Sequence, residues 1–304
     1  MANATMEEFE ALLNESFEID TPEEGSVVKG KVIAIEAGQA IIDVGYKMEG
    51  RVDLKEFANP GEAPEIAVVV PVKNEEDNIG PLVAEINAAL SGVVPFEIVY
   101  VDDGSDDQTP AELEKAKQAV PQLRVVRHAQ SAGQSMAIRT GIAHAKARFI
   151  ATLDGDGQND PADIPKLWAA HGAELRAGEK LMVCGQRAKR QDNAVRLLSS
   201  KIANGIRSRL LRDATPDTGC GLKLFARDDF LAFPRFDHMH RFMPALMQRD
   251  GGRTVSVHVN HRPRERGTSK YGVWNRLWVG IVDLFGVAWL QSRGHTAHVE
   301  HADQ

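Results

Sequence analysis

The protein has 304 residues, 43% of them hydrophobic and 26% charged, a balance that excludes a disordered or fibrous chain and suits one large domain or two smaller ones. Its 36 basic and 43 acidic residues leave a net charge of −7, which speaks against a general nucleic-acid-binding surface. The charge is uneven: residues 1–62 hold 14 acidic and five basic residues, a net of −9 that leaves +2 for residues 63–304. An acidic head on a near-neutral body predicts two segments of different origin, 1–62 and 63 onward.

The N-terminus lacks the basic start and apolar core of a secretion signal. Met6, Phe9, Leu12, Leu13 and Phe17 recur at helical spacing and predict a short amphipathic helix. Val27–Ile35 reads as a strand, Ala37-Gly38-Gln39 as a turn, Ala40–Val44 as a second strand and Gly45–Val52 as the approach to a third. Over Gly25–Phe57 the segment resembles the opening of the first OB-fold repeat of the large RNA-binding protein of the bacterial small ribosomal subunit. The resemblance stops near Pro64–Val68, before the last strands of a five-stranded barrel. A partial OB-fold segment leaves sheet edges unpaired. With a charge of −9 and Tyr46 as its one strand-region aromatic, it lacks the basic groove and stacking platform that single-stranded RNA requires. A passive appendage is expected, with RNA binding as the rival reading.

From Glu65 strands alternate with helices. The run Ile66–Pro71 is continuously apolar, as a strand buried on both faces must be. A helix follows over Glu76–Leu90. Phe96–Val101 is a second strand ending at Asp102-Asp103-Gly104-Ser105, after which Thr109 and Pro110 cap and start a helix. Leu123–Arg127 is a third strand, Gly133–Lys146 a third helix, and Phe149–Leu153 a fourth strand ending at Asp154-Gly155-Asp156. Repeated βαβ units predict an α/β fold with a mostly parallel sheet and ligand sites at the carboxyl ends of its strands. Both acidic clusters fall at such ends. Two cysteines, Cys184 and Cys220, are too few for a disulfide framework and fit a reducing compartment.

Asp154-Gly155-Asp156-Gly157-Gln158 carries the strongest chemical signal. Two carboxylates in a glycine-bearing turn can gather oxygen ligands around one divalent cation, with water and substrate phosphate completing the shell. The plain alternative is a surface turn, since Asp-Gly pairs favour turns. Neither a P-loop nor a Gly-x-Gly-x-x-Gly fingerprint is present, which argues against P-loop NTPases and dinucleotide dehydrogenases.

Four segments follow in order: Val70–Glu76, Val101–Ser105, Leu153–Gln158 and Arg264–Lys270. On these, residues 65–293 resemble a family 2 glycosyltransferase with the GT-A (Rossmann-like) nucleotide-sugar-binding fold, near the dolichyl-phosphate mannose synthases and bacterial polyprenyl-phosphate glycosyltransferases. The resemblance implies an inverting hexosyl transfer from a UDP- or GDP-linked sugar to a dolichyl or undecaprenyl phosphate, with Mg²⁺ or Mn²⁺. It assigns Pro71, Asn74 and Glu75 to the nucleoside, and Asp103 to a hydrogen bond from the base. Asp154, Asp156 and Gln158 go to the cation and diphosphate. Arg187, Arg196 and Arg264 go to phosphate, and Arg266 and Lys270 to a loop closing over the donor. Asp156, Arg264 and Asp217 stand closest to the reaction. Structural roles stay open beside these: Pro71 ending a strand, Asn74 capping a helix, and Asp102 making a turn with Ser105 and Thr109. Asp217 is either a base or a positioner of metal or arginine, and a phosphate acceptor, largely dianionic at neutral pH, needs no base. A saccharide or protein hydroxyl acceptor would need one. Cys220, His238 and His240 are expected to pack or lie on the surface.

Val273–Arg293 is apolar nearly all round, with Trp274, Trp278, Trp289 and flanking arginines. Its apolar core, the fourteen residues Leu277–Leu290 interrupted by Asp283, is too short to span a bilayer, so the segment is expected to lie at a membrane interface, a core or dimer contact being the alternative. The expected organisation is therefore 1–62, 63–272 and 273–304. The enzyme is expected in the cytoplasm, peripheral on the inner face of the plasma membrane, with self-association open and nucleic acid not an expected partner.

Overall fold

The computed structural model describes residues 31–36, 39–43, 49–53, 64–187, 205, 207–213, 215–263 and 273–293. The expected helix over residues 6–17 lies outside them. The chain divides into two compact units, residues 1–62 and 63–304.

In the first unit, β1 (Lys31–Glu36), β2 (Gln39–Asp43) and β3 (Glu49–Asp53) form an antiparallel meander in the order β1-β2-β3. Lys31 pairs with Asp43 and Glu36 with Gln39, with a register shift between Val32 and Ala34. Among the described residues no further strand joins this sheet.

Among the described residues the second unit has seven strands: β4 (Ile66–Val72), β5 (Phe96–Asp102), β6 (Leu123–Arg127), β7 (Phe149–Thr152), β8 (Leu181–Arg187), β9 (Lys223–Ala226) and β10 (Arg253–Val259). They run in the order β10-β8-β9-β7-β4-β5-β6. Only β9 is antiparallel to its neighbours β7 and β8. This antiparallel strand between two parallel neighbours is one that the expectation of repeated βαβ units did not include. The central β4 pairs with β5 on one side and β7 on the other, so the strand order reverses around it. That reversal opens a crevice at the strands' carboxyl ends, where ligands bind in open α/β sheets.

The two-residue period of the strands sorts their side chains to opposite faces. Val68, Val70, Ile98 and Tyr100 pack with helices α1 (Glu76–Leu90), α2 (Thr109–Ala119) and α4 (Ile164–Glu174). Ala67, Val69, Val99 and Val101 pack with α3 (Gln134–His144), α5 (Arg227–Leu231) and α6 (Met243–Arg249). Residues Ile66–Val70 are all fully buried, and each such valine or isoleucine stabilises the fold by about 1.5–3 kcal/mol. The last helix, α7 (Val273–Ser292), belongs to this unit. Its Val287 is buried with Leu211, Phe242 and Ala245. Arg249 donates from Nε to the Leu290 carbonyl at 3.1 Å, and Gln291 donates to the Leu211 and Ala245 carbonyls at 3.0 and 3.2 Å.

Candidate active site

The loops after β4 and β5 are tied together by their own polar side chains. Asn74 adopts φ 52° and donates its backbone N–H to Ser105 Oγ at 2.9 Å. Its side-chain amide binds Asp106, and its Oδ1 accepts the Asp106 N–H at 3.0 Å. Asn74 is thus a bridge between loops, not the cap of α1. Glu75 donates its N–H to Thr109 Oγ1 at 2.9 Å, and its carboxylate accepts from Asn78 at 2.7 Å. Thr109, in turn, is the first residue of α2 and spends its hydroxyl on Glu75; it does not cap its own helix. Asp102, fully buried, accepts the Ser105 N–H at 2.9 Å and lies 3.2 Å from Arg127 Nε.

Asp103 accepts four hydrogen bonds: from His128 Nδ1 and Ser131 Oγ, both at 2.7 Å, and from the N–H groups of Ala132 and Gly133 at 2.8 and 2.9 Å. Burial alone would raise this carboxyl, but the bonds from Ala132, Ser131, His128 and Gly133 outweigh it and hold the group below the usual carboxylate range. The carboxylate expected to meet the nucleobase also shapes the 128–133 loop. That loop passes so close to Gly104 (φ +68°) that a Cβ there would lie 2.9 Å from Ser131 N. Pro71 occupies the penultimate position of β4, opposite Val101.

The turn after β7 is held from both ends. The Asp154 N–H donates to Asn159 Oδ1 at 3.1 Å, and the Gln158 N–H donates to Asp156 Oδ1 at 3.1 Å. Gln158 offers its carbonyl to the Arg262 N–H at 2.9 Å, binding the turn to the exit of β10. Gln134, the first residue of α3, donates to Asp154 Oδ1 at 3.0 Å. Opposite, Gly221 lies so close that a Cβ on it would overlap the Asp154 carboxylate. Burial, then the neighbouring Asp156, push the Asp154 carboxyl up to about 6, while Lys223, Arg187 and the Gln134 hydrogen bond pull it back.

Arg187, at the carboxyl end of β8, meets Asp217 in a fork: Nε to Oδ2 and Nη2 to Oδ1, both 2.7 Å. Asp217, chiefly, raises the Arg187 guanidinium above its ordinary value. Among the two open roles for Asp217, the geometry is that of an arginine positioner. His240 shares a 2.7 Å hydrogen bond with Ser135 Oγ on α3, and burial, followed by Arg241 and Lys223, pulls its imidazole down to about 3. It is a half-buried imidazole beside α3. His238 (φ 60°) lies 3.2 Å from Asp283 of α7. Cys220 is buried and burial raises its thiol, as befits a packing residue.

Residues 67–233 match the family described as glycosyl transferase family 2, more than half of the chain. A dodecaprenyl-phosphate galacturonate synthase of Rhizobium johnstonii is 37% identical over 237 residues, covering 75% of this chain and 68% of the relative. The protein belongs to glycosyl transferase family 2. An undecaprenyl-phosphate 4-deoxy-4-formamido-L-arabinose transferase of Edwardsiella ictaluri is 35% identical over 212 residues, 68% of this chain and 63% of that one. The chain thus spans about two thirds of the length of these relatives. Among solved structures, the mannosyl-3-phosphoglycerate synthase of Rubrobacter xylanophilus aligns with TM-score 0.56 at 17% identity over 78% of this chain and 77% of its own. The glucosyl-3-phosphoglycerate synthase of Mycobacterium tuberculosis, solved with Mn²⁺, UDP and glucosyl-3-phosphoglycerate, aligns with TM-score 0.55 at 17% identity over 80% and 84%. These likenesses give the GT-A fold.

A second match, to the S1 RNA binding domain, covers residues 21–81. It runs further than the expected end near Pro64–Val68 and overlaps the transferase match. In the structure Ile66–Val72 lies between β5 and β7, so the strand claimed by both families sits in the transferase sheet.

The transferase's donor set suits a divalent cation. Asp156 stands close enough to Asp154 to raise the cost of ionising it, the condition a cation relieves. Among the described residues no cluster of three His, Cys, Asp or Glu side chains forms a metal site. Two carboxylates with diphosphate and water oxygens make the usual shell of a Mg²⁺-type ion. Arg196, Arg264, Arg266 and Lys270 lie outside the described residues. Gln134, Asn159, Gly221 and Lys223 border the site without having been singled out for it. Of these Lys223 opens the otherwise apolar strand Lys223–Ala226, where a charge by itself reads as a surface position.

Proposed function

We propose that this transferase moves a sugar from a nucleoside diphosphate donor to a polyprenyl phosphate with inversion, using Mg²⁺ or Mn²⁺. The observation that carries the reading is the meeting of the Asp154–Asp156 turn with the Asp217-braced Arg187 at the carboxyl ends of β7 and β8. The polyprenyl-phosphate transferases among its relatives supply the acceptor class. Asp154 and Asp156 would hold the cation with Gln158 beside them, and the bound ion would neutralise charge on the departing nucleoside diphosphate. Arg187 offers a guanidinium fork to phosphate oxygens, joined by Arg196, Arg264, Arg266 and Lys270. Asn74, Glu75 and the loop shaped by Asp103 would bound the nucleoside. The acceptor phosphate attacks as an anion, so no side chain has to take its proton; the engagement of Asp217 by Arg187 is consistent with that.

The outer face of α7 supports peripheral contact with the cytoplasmic leaflet. Val282, Phe285 and Trp289 are 57%, 64% and 60% exposed, and Ile281 lies beside them. Their spacing puts them on one side of the helix, the pattern of a segment resting at the headgroup boundary. No helix among the described residues is long and apolar enough to cross a membrane. We read the acidic head as taking no part in transfer.

The test is to incubate the full chain with UDP- and GDP-sugars, Mn²⁺ and undecaprenyl phosphate, and to follow sugar label into the lipid fraction. Label should appear with at least one donor and vanish in Asp156→Ala. Transfer to a saccharide or protein hydroxyl instead would replace the acceptor in this reading.

A further inference from the structure

Lys223 opens β9 in the middle of the sheet, opposite Thr152 of β7 and Cys184 of β8, and is 3% exposed. Lysine is almost never buried so deeply without partners, because desolvating its charge costs several kcal/mol. Its partners here are all parts of the candidate site. The side-chain nitrogen donates to the Cys220 carbonyl. Its charge and that of Arg187 are the cationic influences on Asp154. The loop it grips runs from Asp217, which holds Arg187, to Gly221, on which the Asp154 carboxylate rests. That loop is pinned further by Thr152 Oγ1, which donates to the Gly221 carbonyl at 2.7 Å, and by the Gly185 N–H, which donates to the Leu222 carbonyl at 2.9 Å. Gln134 closes the opposite side of Asp154.

We propose that Lys223 is a positioning residue that, by holding the Cys220 carbonyl, keeps Gly221 as the seat of the Asp154 carboxylate and so fixes the geometry in which the turn binds a divalent cation. Buried as it is, Lys223 acts through Asp154 and touches no substrate. The inference rests on the reading of Asp154 as a cation ligand.

Mn²⁺ binding to the full chain, followed by the free-ion electron paramagnetic resonance signal with and without UDP, tests it. Lys223→Met should fold, with an unchanged circular dichroism spectrum, and bind Mn²⁺ about tenfold or more weakly, the usual cost of removing a group that orients a ligand. Lys223→Arg, which keeps charge and donor, should come back to within about threefold of the parent. Gly221→Ala, whose methyl group must displace the carboxylate, should lose Mn²⁺ as Lys223→Met does, and it decides the matter if Lys223→Met does not fold. Parental Mn²⁺ affinity in folded Lys223→Met or in Gly221→Ala overturns the inference, as does failure of Lys223→Arg to restore what Lys223→Met loses. Absence of Mn²⁺ binding in the unaltered protein, even with UDP, would instead overturn the functional reading beneath it.

Discussion

Arg187 and Asp217 form a two-pronged ion pair, both bonds 2.7 Å, with the arginine 15% and the aspartate 10% exposed in their side chains. A carboxylate so engaged makes a poor proton acceptor and a good brace for a guanidinium aimed at phosphate. Asp217→Asn keeps the shape and removes the charge. It should lower kcat/KM about tenfold, the worth of one charge-assisted hydrogen bond at about 1.5 kcal/mol, with the loss falling mainly on the donor's KM. A base would behave otherwise, and its removal would cost about 10²–10⁴ in kcat. Steady-state kinetics with varied donor separates the two.

Asp154 sets a pH limit on cation binding. Its carboxyl, pushed up to about 6 by burial and Asp156, must lose its proton before it can bind a metal ion. Mn²⁺ affinity should be level above pH 7 and fall about tenfold per pH unit below pH 6, one proton being released per ion bound. In Asp154→Asn that acid limb should disappear, together with most of the affinity. Calorimetry in two buffers of different ionisation heat counts the proton.

Asp103 is predicted to matter for stability before it matters for chemistry. Its folded carboxyl lies below its ordinary value, so its contribution is present above the unfolded value and is lost as pH falls through the folded one. Asp103→Ala leaves the buried N–H groups of Ala132 and Gly133 without their acceptor and should cost about 3 kcal/mol at pH 7. The gap between variant and parent should narrow steadily below pH 4 in urea unfolding curves.

The central strand β4, its two flanks β5 and β7, and the placing of Asp103, Asp154 and Asp156 at strand ends follow from runs such as Ile66–Pro71 that only a doubly covered parallel strand would have. What the sequence hides is pairing. Nothing in Asp103 says that four donors converge on it, because Ser131, Ala132 and Gly133 come from a loop beyond another strand. Lys223 escapes notice for a related reason. A charge in a four-residue strand reads as a surface position until β9 is found between β7 and β8. The antiparallel insertion of β9 itself carries no local mark, since its neighbours are fixed by tertiary contacts and not by its own residues.

The doubly claimed strand gives a sharp test of the head. A chain beginning at residue 63 keeps Ile66–Val72 and should melt within a few degrees of the parent and bind UDP with Mn²⁺ as well. A chain beginning at residue 73 loses the strand between β5 and β7, five of whose residues are fully buried, and should not fold. Equal behaviour of the two cuts would mean that β4 belongs functionally to the head.

The outer face of α7 offers a separable function. Phe285 and Trp289 point away from the packed side, where Val287 is buried, so replacing both with glutamate removes apolar contact without opening the core. Each aromatic placed in the interface is worth about 2 kcal/mol, and the pair about a thousandfold in partitioning. Phe285→Glu with Trp289→Glu should therefore leave the melting temperature unchanged and abolish sedimentation with anionic vesicles. Turnover of a short, water-soluble prenyl phosphate should persist, while transfer to vesicle-borne undecaprenyl phosphate should fall steeply. Equal loss on both acceptors would instead make α7 part of the acceptor site, and unchanged vesicle binding would assign its exposed face to something other than lipid.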